Sequence, residues 1–240
     1  MIYYDSVSKT GGRPVNEDSI GTLEKDGQFL FALADGLGGH GGGEIASALV
    51  VLKAMEAFEA SAGECDLPLC FNEGQNALME EQLRQRLQGA MKTTLVLLKI
   101  NEEEAVWGHI GDSRLYSFEK DKLTIRTKDH SVPQMLVNTG EIREKDIRFH
   151  PDRNRLLRVM GVEWESPRFD ISEPYRLSPG MSYLMCSDGF WELIDEKDIC
   201  RCLKTASSTG EWLAEMEQIV LSNGSGKTMD NYSAIAVWKR

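Results

Sequence analysis

Three strongly apolar runs of this 240-residue chain stop at an aspartate. FLFALAD ends at Asp35 before Gly36, VWGHIGD at Asp112 before Ser113, and SYLMCSD at Asp188 before Gly189. A fourth run, YSAIAVW, opens directly after Asp230-Asn231. Short apolar runs bounded by turn residues read as buried strands. Further runs over 93–100, 105–110, 114–119 and 122–126 follow one another closely, with Asn101-Glu102-Glu103-Glu104 and Glu119-Lys120-Asp121 as turns, and this spacing predicts antiparallel hairpins. Helical patterns cover residues 44–59 (Ile45, Ala48, Leu49, Leu52, Met55 and Ala57 on one stripe) and 72–91. Others cover about 131–160, 190–204 and 210–222. Strand blocks alternate with helix pairs without a β-α-β rhythm. The expected class is therefore α+β, with antiparallel sheets and helices packed outside them.

That arrangement constrains the acids. The ends of antiparallel neighbours lie side by side, so Asp35, Asp112, Asp188 and Asp230 are expected at one sheet rim, with Glu17-Asp18 next to Asn16 as a further contributor. An acid beside Gly or Asn is also ordinary turn chemistry; four of them against apolar strands need more than turns. Clustered carboxylates raise one another's pKa, and divalent cations relieve that repulsion. An all-oxygen set of this kind suits Mg²⁺ or Mn²⁺. Six glycines between residues 36 and 43 fit the same picture. Gly36 lets a backbone carbonyl approach a cation held by Asp35, and the other glycines let the loop turn tightly before a helix begins near Glu44.

A nucleotide is the competing explanation of the glycines. Gly36-Leu37-Gly38-Gly39-His40-Gly41 matches G-x-G-x-x-G between a strand and a helix. The second strand of a compact β-α-β unit is missing, however. The helical pattern runs into Gly63-Glu64-Cys65-Asp66-Leu67-Pro68, which reads as loop. Asp35 would also face a bound phosphate. No G-x-x-x-x-G-K-[ST] occurs, which excludes a P-loop.

Composition is that of a globular protein, 41% hydrophobic and 27% charged. The N-terminal MIYYDSVSKTGG lacks the apolar stretch of a signal peptide. No apolar run approaches the roughly 20 residues that span a bilayer. The expectation is a cytoplasmic protein without membrane contact. The five cysteines (65, 70, 186, 200 and 202) are odd in number and form no C-x-x-C, which supports neither a disulfide framework nor a zinc site. A net charge of −11 disfavours nucleic acid and anionic lipid. It also requires that any phosphorylated substrate be met by local positive charge.

The chain resembles the metal-dependent serine/threonine protein phosphatases, the type 2C or PPM family, in its short bacterial form. The resemblance rests on Arg13-Pro-Val-Asn-Glu17-Asp18, Ala34-Asp35-Gly36-Leu-Gly-Gly-His40, Gly43-Glu44-Ile-Ala-Ser47 and Gly111-Asp112-Ser113-Arg114. It continues in Asp129-His130-Ser131, Arg153-Asn154-Arg155-Leu156 with Met160-Gly161, Ser187-Asp188-Gly189 and Asp230-Asn231. Each motif alone is weak; in this order, across residues 13–231, they are specific.

The resemblance implies one catalytic domain over 1–240, a four-layer α/β/β/α sandwich, with a flap-like insert at about 131–161. It implies two Mn²⁺ or Mg²⁺ ions and a third in some members. Asp35 would bridge two ions, with Glu17, Asp18 and the Gly36 carbonyl completing part of their coordination and Asp188 and Asp230 holding the second. Asp112 and Asp188 match the third-ion position, where Glu192 is a further candidate. The implied reaction is hydrolysis of phosphoserine and phosphothreonine in proteins by a metal-bridging water or hydroxide, without a covalent phosphoenzyme. Arg13 would grip the phosphoryl group through its planar fork and, with the cations, supply the positive charge that the acidic chain needs. The leaving alkoxide requires a proton. Leu37 stands where some members carry a histidine, so the donor is left between His40 and a metal-bound water. His130 is expected to cap or brace the following helix and His109 to be structural. The insert's Arg143, Arg148, Arg153, Arg155 and Arg158 are expected to form a solvated face or to tie the flap down. Implied partners are phosphorylated proteins and a serine/threonine kinase, with the chain a monomer. Two alternatives remain: a phosphatase dedicated to one small regulatory phosphoprotein of the anti-sigma-factor-antagonist type, and a non-catalytic phosphoprotein-binding relative.

Overall fold

The computed structural model describes residues 1–38, 41–61, 66–87 and 89–240. His40 therefore lies outside the described residues. Eleven strands form two antiparallel sheets among the described residues. The first sheet has the order β1 (Ile2–Lys9), β11 (Tyr232–Lys239), β10 (Met181–Cys186), β6 (Arg114–Glu119), β7 (Lys122–Arg126). The second has the order β2 (Asp18–Lys25), β3 (Gln28–Asp35), β4 (Leu95–Ile100), β5 (Glu104–Ile110), β8 (Asp170–Ile171). A short β9 (Tyr175–Arg176) also pairs with β5.

Side-chain alternation along the strands builds three apolar layers. In β3, Phe31 and Leu33 point between the sheets, where they meet Val96, Leu98, Tyr183 and Val237. Leu30, Ala32 and Ala34 point the other way, toward helices α1 (Gly43–Ala60) and α2 (Leu67–Gln85). In β11, Ile235 and Val237 join the central layer. Ala234, Ala236 and Trp238 pack under α5 (Glu196–Thr205) and α6 (Thr209–Gly224). A strand buried on both faces reads as a continuous apolar run, and burying each large side chain stabilises the fold by about 1.5–3 kcal/mol. The result is the α/β/β/α sandwich that the resemblance implies.

Several boundaries differ from expectation for identifiable reasons. Helix α2 starts at Leu67, because Pro68 suits a first helical turn, and it ends where Arg86 turns left-handed at φ 56. The fourth strand begins at Leu95 because Thr93 and Thr94 are spent on Asp35, as described below. The helix expected over 190–204 is split into α4 (Asp188–Trp191) and α5, the latter capped by Asp195, whose carboxylate accepts from the Asp198 N–H at 2.8 Å.

The insert is not a helical segment. It contains α3 (Val132–Asn138), capped by Ser131, then a 3₁₀ turn over Glu144–Phe149, and runs irregularly from 150 to 161. Each of its five arginines finds an acid. Arg143 pairs with Asp146, Arg155 with Asp152 and Arg158 with Asp170. Arg148 reaches Glu196 at 3.0 Å and Arg153 reaches Glu192 at 2.7 Å, tying the insert to the α4–α5 region. No helix among the described residues is long and apolar enough to cross a membrane.

Candidate active site

The strand-end acids meet at the rim where both sheets finish. Asp18, the first residue of β2, is the register partner of Asp35, the last of β3. Asp112 follows β5, Asp188 follows β10, and Asp230 precedes β11, the neighbour of β10. Glu17, Asp35, Asp112, Asp188 and Asp230 line one cleft of 280 Å³. Arg13 and Gly36 line it too. Asp18 lies buried beneath.

The backbone around these acids is pinned by neighbouring side chains. The Asp35 N–H donates to Thr94 Oγ1 at 2.9 Å, and Thr93 Oγ1 donates to the Asp35 carbonyl at 2.8 Å. Asn231 accepts from the Glu17 N–H and donates to the Thr10 and Val15 carbonyls, all at 2.9 Å, which holds the 10–18 arm against the start of β11. Ser187 Oγ donates to Asp18 Oδ2 at 2.7 Å. Gly36 sits where a side chain would collide with the Gly43 and Glu17 carbonyl oxygens, so only glycine allows this approach.

Burial first, and neighbouring carboxylates second, raise Glu17, Asp18, Asp35, Asp112, Asp188 and Glu192 above their ordinary values. Burial pushes Asp18 up to about 7, and the Asp188 and Asp230 carboxylates add to it while Ser233 and Ser187 hold it back. Asp35 stands well above its ordinary value through burial first, then through Asp188, Asp18 and Asp112. Asp112 is raised well above its ordinary value by burial, Asp188 and Asp129. Asp188 is raised by burial and Asp230. Burial and Asp188 push Glu192 up to about 7 against the opposing Arg153 contact. Glu17 is raised by burial and Glu44. Arg13 is the cation of the cleft: its Nη2 bonds Asp230 Oδ2 at 2.8 Å, with the side chain 52% exposed.

The acid set fits hard divalent cations. All its donors are oxygens. Asp18 Oδ1 is buried with no hydrogen-bond partner among the described residues, and a buried oxygen of that kind ordinarily has one. A second, larger cavity of 540 Å³ lies between the 3₁₀ turn and the start of α5. Its arginines are already paired, Arg114 with Asp129, Arg126 with Glu144 and Arg148 with Glu196. It offers no comparable convergence.

Behind the site, Arg114 forms a two-pronged pair with Asp129 at 2.8 and 2.6 Å. Its guanidinium lies 3.4 Å over the Trp191 ring, whose Nε1 donates to the Asp112 carbonyl at 3.0 Å. The sequence flagged Arg114 and Asp129 as motif residues without a role; here they form the buried support of the Asp112 turn.

The protein phosphatase 2C family model matches residues 10–221. The chain belongs to the protein phosphatase 2C family. It is accordingly a protein phosphatase. A curated relative, the serine/threonine phosphatase stp of Listeria innocua, is 32% identical over 205 residues, 82% of this chain and 80% of its own length. The crystal structure of the Mycobacterium tuberculosis serine/threonine phosphatase PstP/Ppp superposes with a TM-score of 0.85 at 28% identity, over 100% of this chain and 99% of that one. The PstP catalytic domain solved in complex with two manganese ions gives 0.82 at 27% identity, over 98% and 97% of the two chains.

Proposed function

We propose that this chain is a single-domain enzyme hydrolysing phosphoserine and phosphothreonine esters in proteins, with two divalent cations, Mn²⁺ or Mg²⁺, held by the rim acids. The observation that carries this reading is the buried Asp18 Oδ1, without a hydrogen-bond partner among the described residues, within a ring of carboxylates raised by burial first and by one another second. When bound, such cations neutralise that ring, polarise the phosphoryl oxygens and make water a nucleophile near neutral pH.

The chain's own residues do the rest. Asp35 would serve both ions, with Asp18, Glu17 and the Gly36 carbonyl helping to hold one and Asp188 with Asp230 the other; Asp112 with Asp188, and Glu192 as a further candidate, would be the donors for a third where one binds. Arg13 binds the phosphoryl oxygens through the exposed part of its fork and orients the ester for in-line attack. The proposed course is direct attack by water, without a covalent phosphoenzyme. The substrates are phosphoproteins, with a serine/threonine kinase as the natural opposing activity.

The test is hydrolysis of p-nitrophenyl phosphate and of a phosphothreonine peptide with Mn²⁺ and with EDTA, for the wild type, Asp35→Asn and Asp188→Asn. Activity should require the cation and vanish in both variants while their circular dichroism stays native. Activity that survives EDTA, or that persists in both variants, overturns the reading. Much faster turnover of one small regulatory phosphoprotein than of generic phosphopeptides would narrow the substrate to that class.

A further inference from the structure

His109, His130 and Asp170 bring three ligand-type side chains together outside the acid cleft. The arrangement does not suit a cation. Imidazole lone pairs lie in the ring planes, and these two rings are stacked 13° apart with centroids at 4.6 Å, so their lone pairs cannot aim at one atom. Both rings are also engaged: His109 Nε2 bonds the Lys128 carbonyl at 2.8 Å. Asp170 shares its two oxygens between His130 Nε2 at 3.1 Å and Arg158 at 3.2 Å.

The cluster grips Gly111 instead. The His130 N–H donates to the Gly111 carbonyl at 2.8 Å, and the Gly111 N–H donates to His130 Nδ1 at 3.2 Å. The bond from the Gly111 N–H to the ring fixes the tautomer: Nδ1 accepts, so the proton sits on Nε2, where Asp170 accepts it. Gly111 has φ 105, and a Cβ there would stand 2.7 Å from Thr94 Cβ, so this turn exists only with glycine and needs external support. The next residue is Asp112. The same histidine is joined to the base of the insert, because the Leu157 N–H donates to the His130 carbonyl at 2.7 Å and Arg158 holds Asp170. Ser131, not His130, caps α3.

We propose that His130, oriented by Asp170 and backed by His109, is a positioning residue that fixes the Gly111–Asp112 turn and couples it to the base of the insert. It never touches substrate; its effect on hydrolysis passes through the direction of the Asp112 carboxylate. The inference rests on the phosphatase reading for its kinetic consequence and on the metal-free protein for its structural one.

The experiment compares His130→Ala, His130→Asn and His130→Gln with the wild type. Asparagine places an acceptor oxygen where Nδ1 stood; glutamine keeps a polar atom near Nε2 but loses the acceptor for Gly111. Two quantities are read: hydrogen exchange of the Gly111 amide by NMR in EDTA, and kcat and KM for p-nitrophenyl phosphate with Mn²⁺, each corrected for folded fraction. Losing a partner that orients a ligand costs about 10–100-fold. His130→Ala and His130→Gln should therefore lower kcat by about that factor, leave KM within about twofold and speed Gly111 exchange. His130→Asn should recover most of both. Asp170→Ala should give an intermediate loss. Unchanged kcat in folded His130→Ala, or equal behaviour of the asparagine and glutamine variants, overturns the proposal. Wild-type protein without Mn²⁺-dependent hydrolysis defeats the phosphatase reading; the exchange comparison then decides the clamp alone.

Discussion

Asp18→Asn should make the metal-free protein more stable while making the enzyme worse. Asp18 is 6% exposed, and its carboxyl is pushed from 3.8 to about 7, by burial above all. An acid whose pKa is raised in the folded state binds more protons there than in the unfolded chain. Stability is therefore lost as pH rises from about 4 to about 7, and the full loss, about 4 kcal/mol, is present above pH 7. Asparagine removes that charge, and its oxygen can still accept from Ser187. Its amide must find acceptors, which takes back about half of the gain. The net gain of about 2 kcal/mol at pH 8 corresponds to a Tm rise of about 4–8 °C for a chain this long. Thermal unfolding followed by circular dichroism in EDTA at pH 8 and pH 5 measures it. The advantage should disappear by pH 5, where Asp18 is protonated in the fold. With saturating Mn²⁺ the wild type should gain more stability than the variant, and the variant should lose most of its activity. An equal or lower Tm for Asp18→Asn at pH 8 in EDTA would refute the argument that buried charge destabilises the metal-free cleft.

Arg13→Ala should raise KM for p-nitrophenyl phosphate by about tenfold with a smaller change in kcat, since it removes phosphate binding; steady-state kinetics checks it, and an unchanged KM contradicts the assignment. Asp129→Ala removes the two-pronged partner of the buried Arg114, leaving it only Glu196 at 3.9 Å among the described acids, and should cost about 3–5 kcal/mol in urea unfolding; a loss below about 1 kcal/mol contradicts the buried-pair account. Arg153→Gln frees the insert from Glu192. Because that pair is partly exposed, stability should change by less than about 1 kcal/mol, while limited proteolysis between residues 150 and 160 should speed up.

What the sequence made legible follows burial. Strands β3, β10 and β11 were readable because both their faces are covered, so their apolar runs are continuous. β1 and β2 gave no such signal: they are edge strands, and most residues of β1 are exposed. The insert, a charged segment, read as helical over about 131–160, but only Val132–Asn138 forms an α-helix, and its arginines serve distant acids at Glu192 and Glu196 as well as local ones. The acids of the rim were legible for a related reason, since each borders an apolar run that had to be a strand, and antiparallel pairing then gathers the ends. Thr93, Thr94 and Asn231 as props of Asp35 and Glu17 were not, because their hydrogen bonds join residues tens to hundreds of positions apart. The same applies to His130, whose neighbour in sequence is a helix but whose work is on Gly111.

Anomalous diffraction at the manganese edge, from crystals grown with Mn²⁺, tests the central claim most directly. Two peaks are expected within the 280 Å³ cleft, one against Asp35, Asp18 and Glu17 and one against Asp188 and Asp230, with Asp35 touching both. A cleft without peaks at saturating Mn²⁺, or manganese found instead at His109, His130 and Asp170, would contradict it.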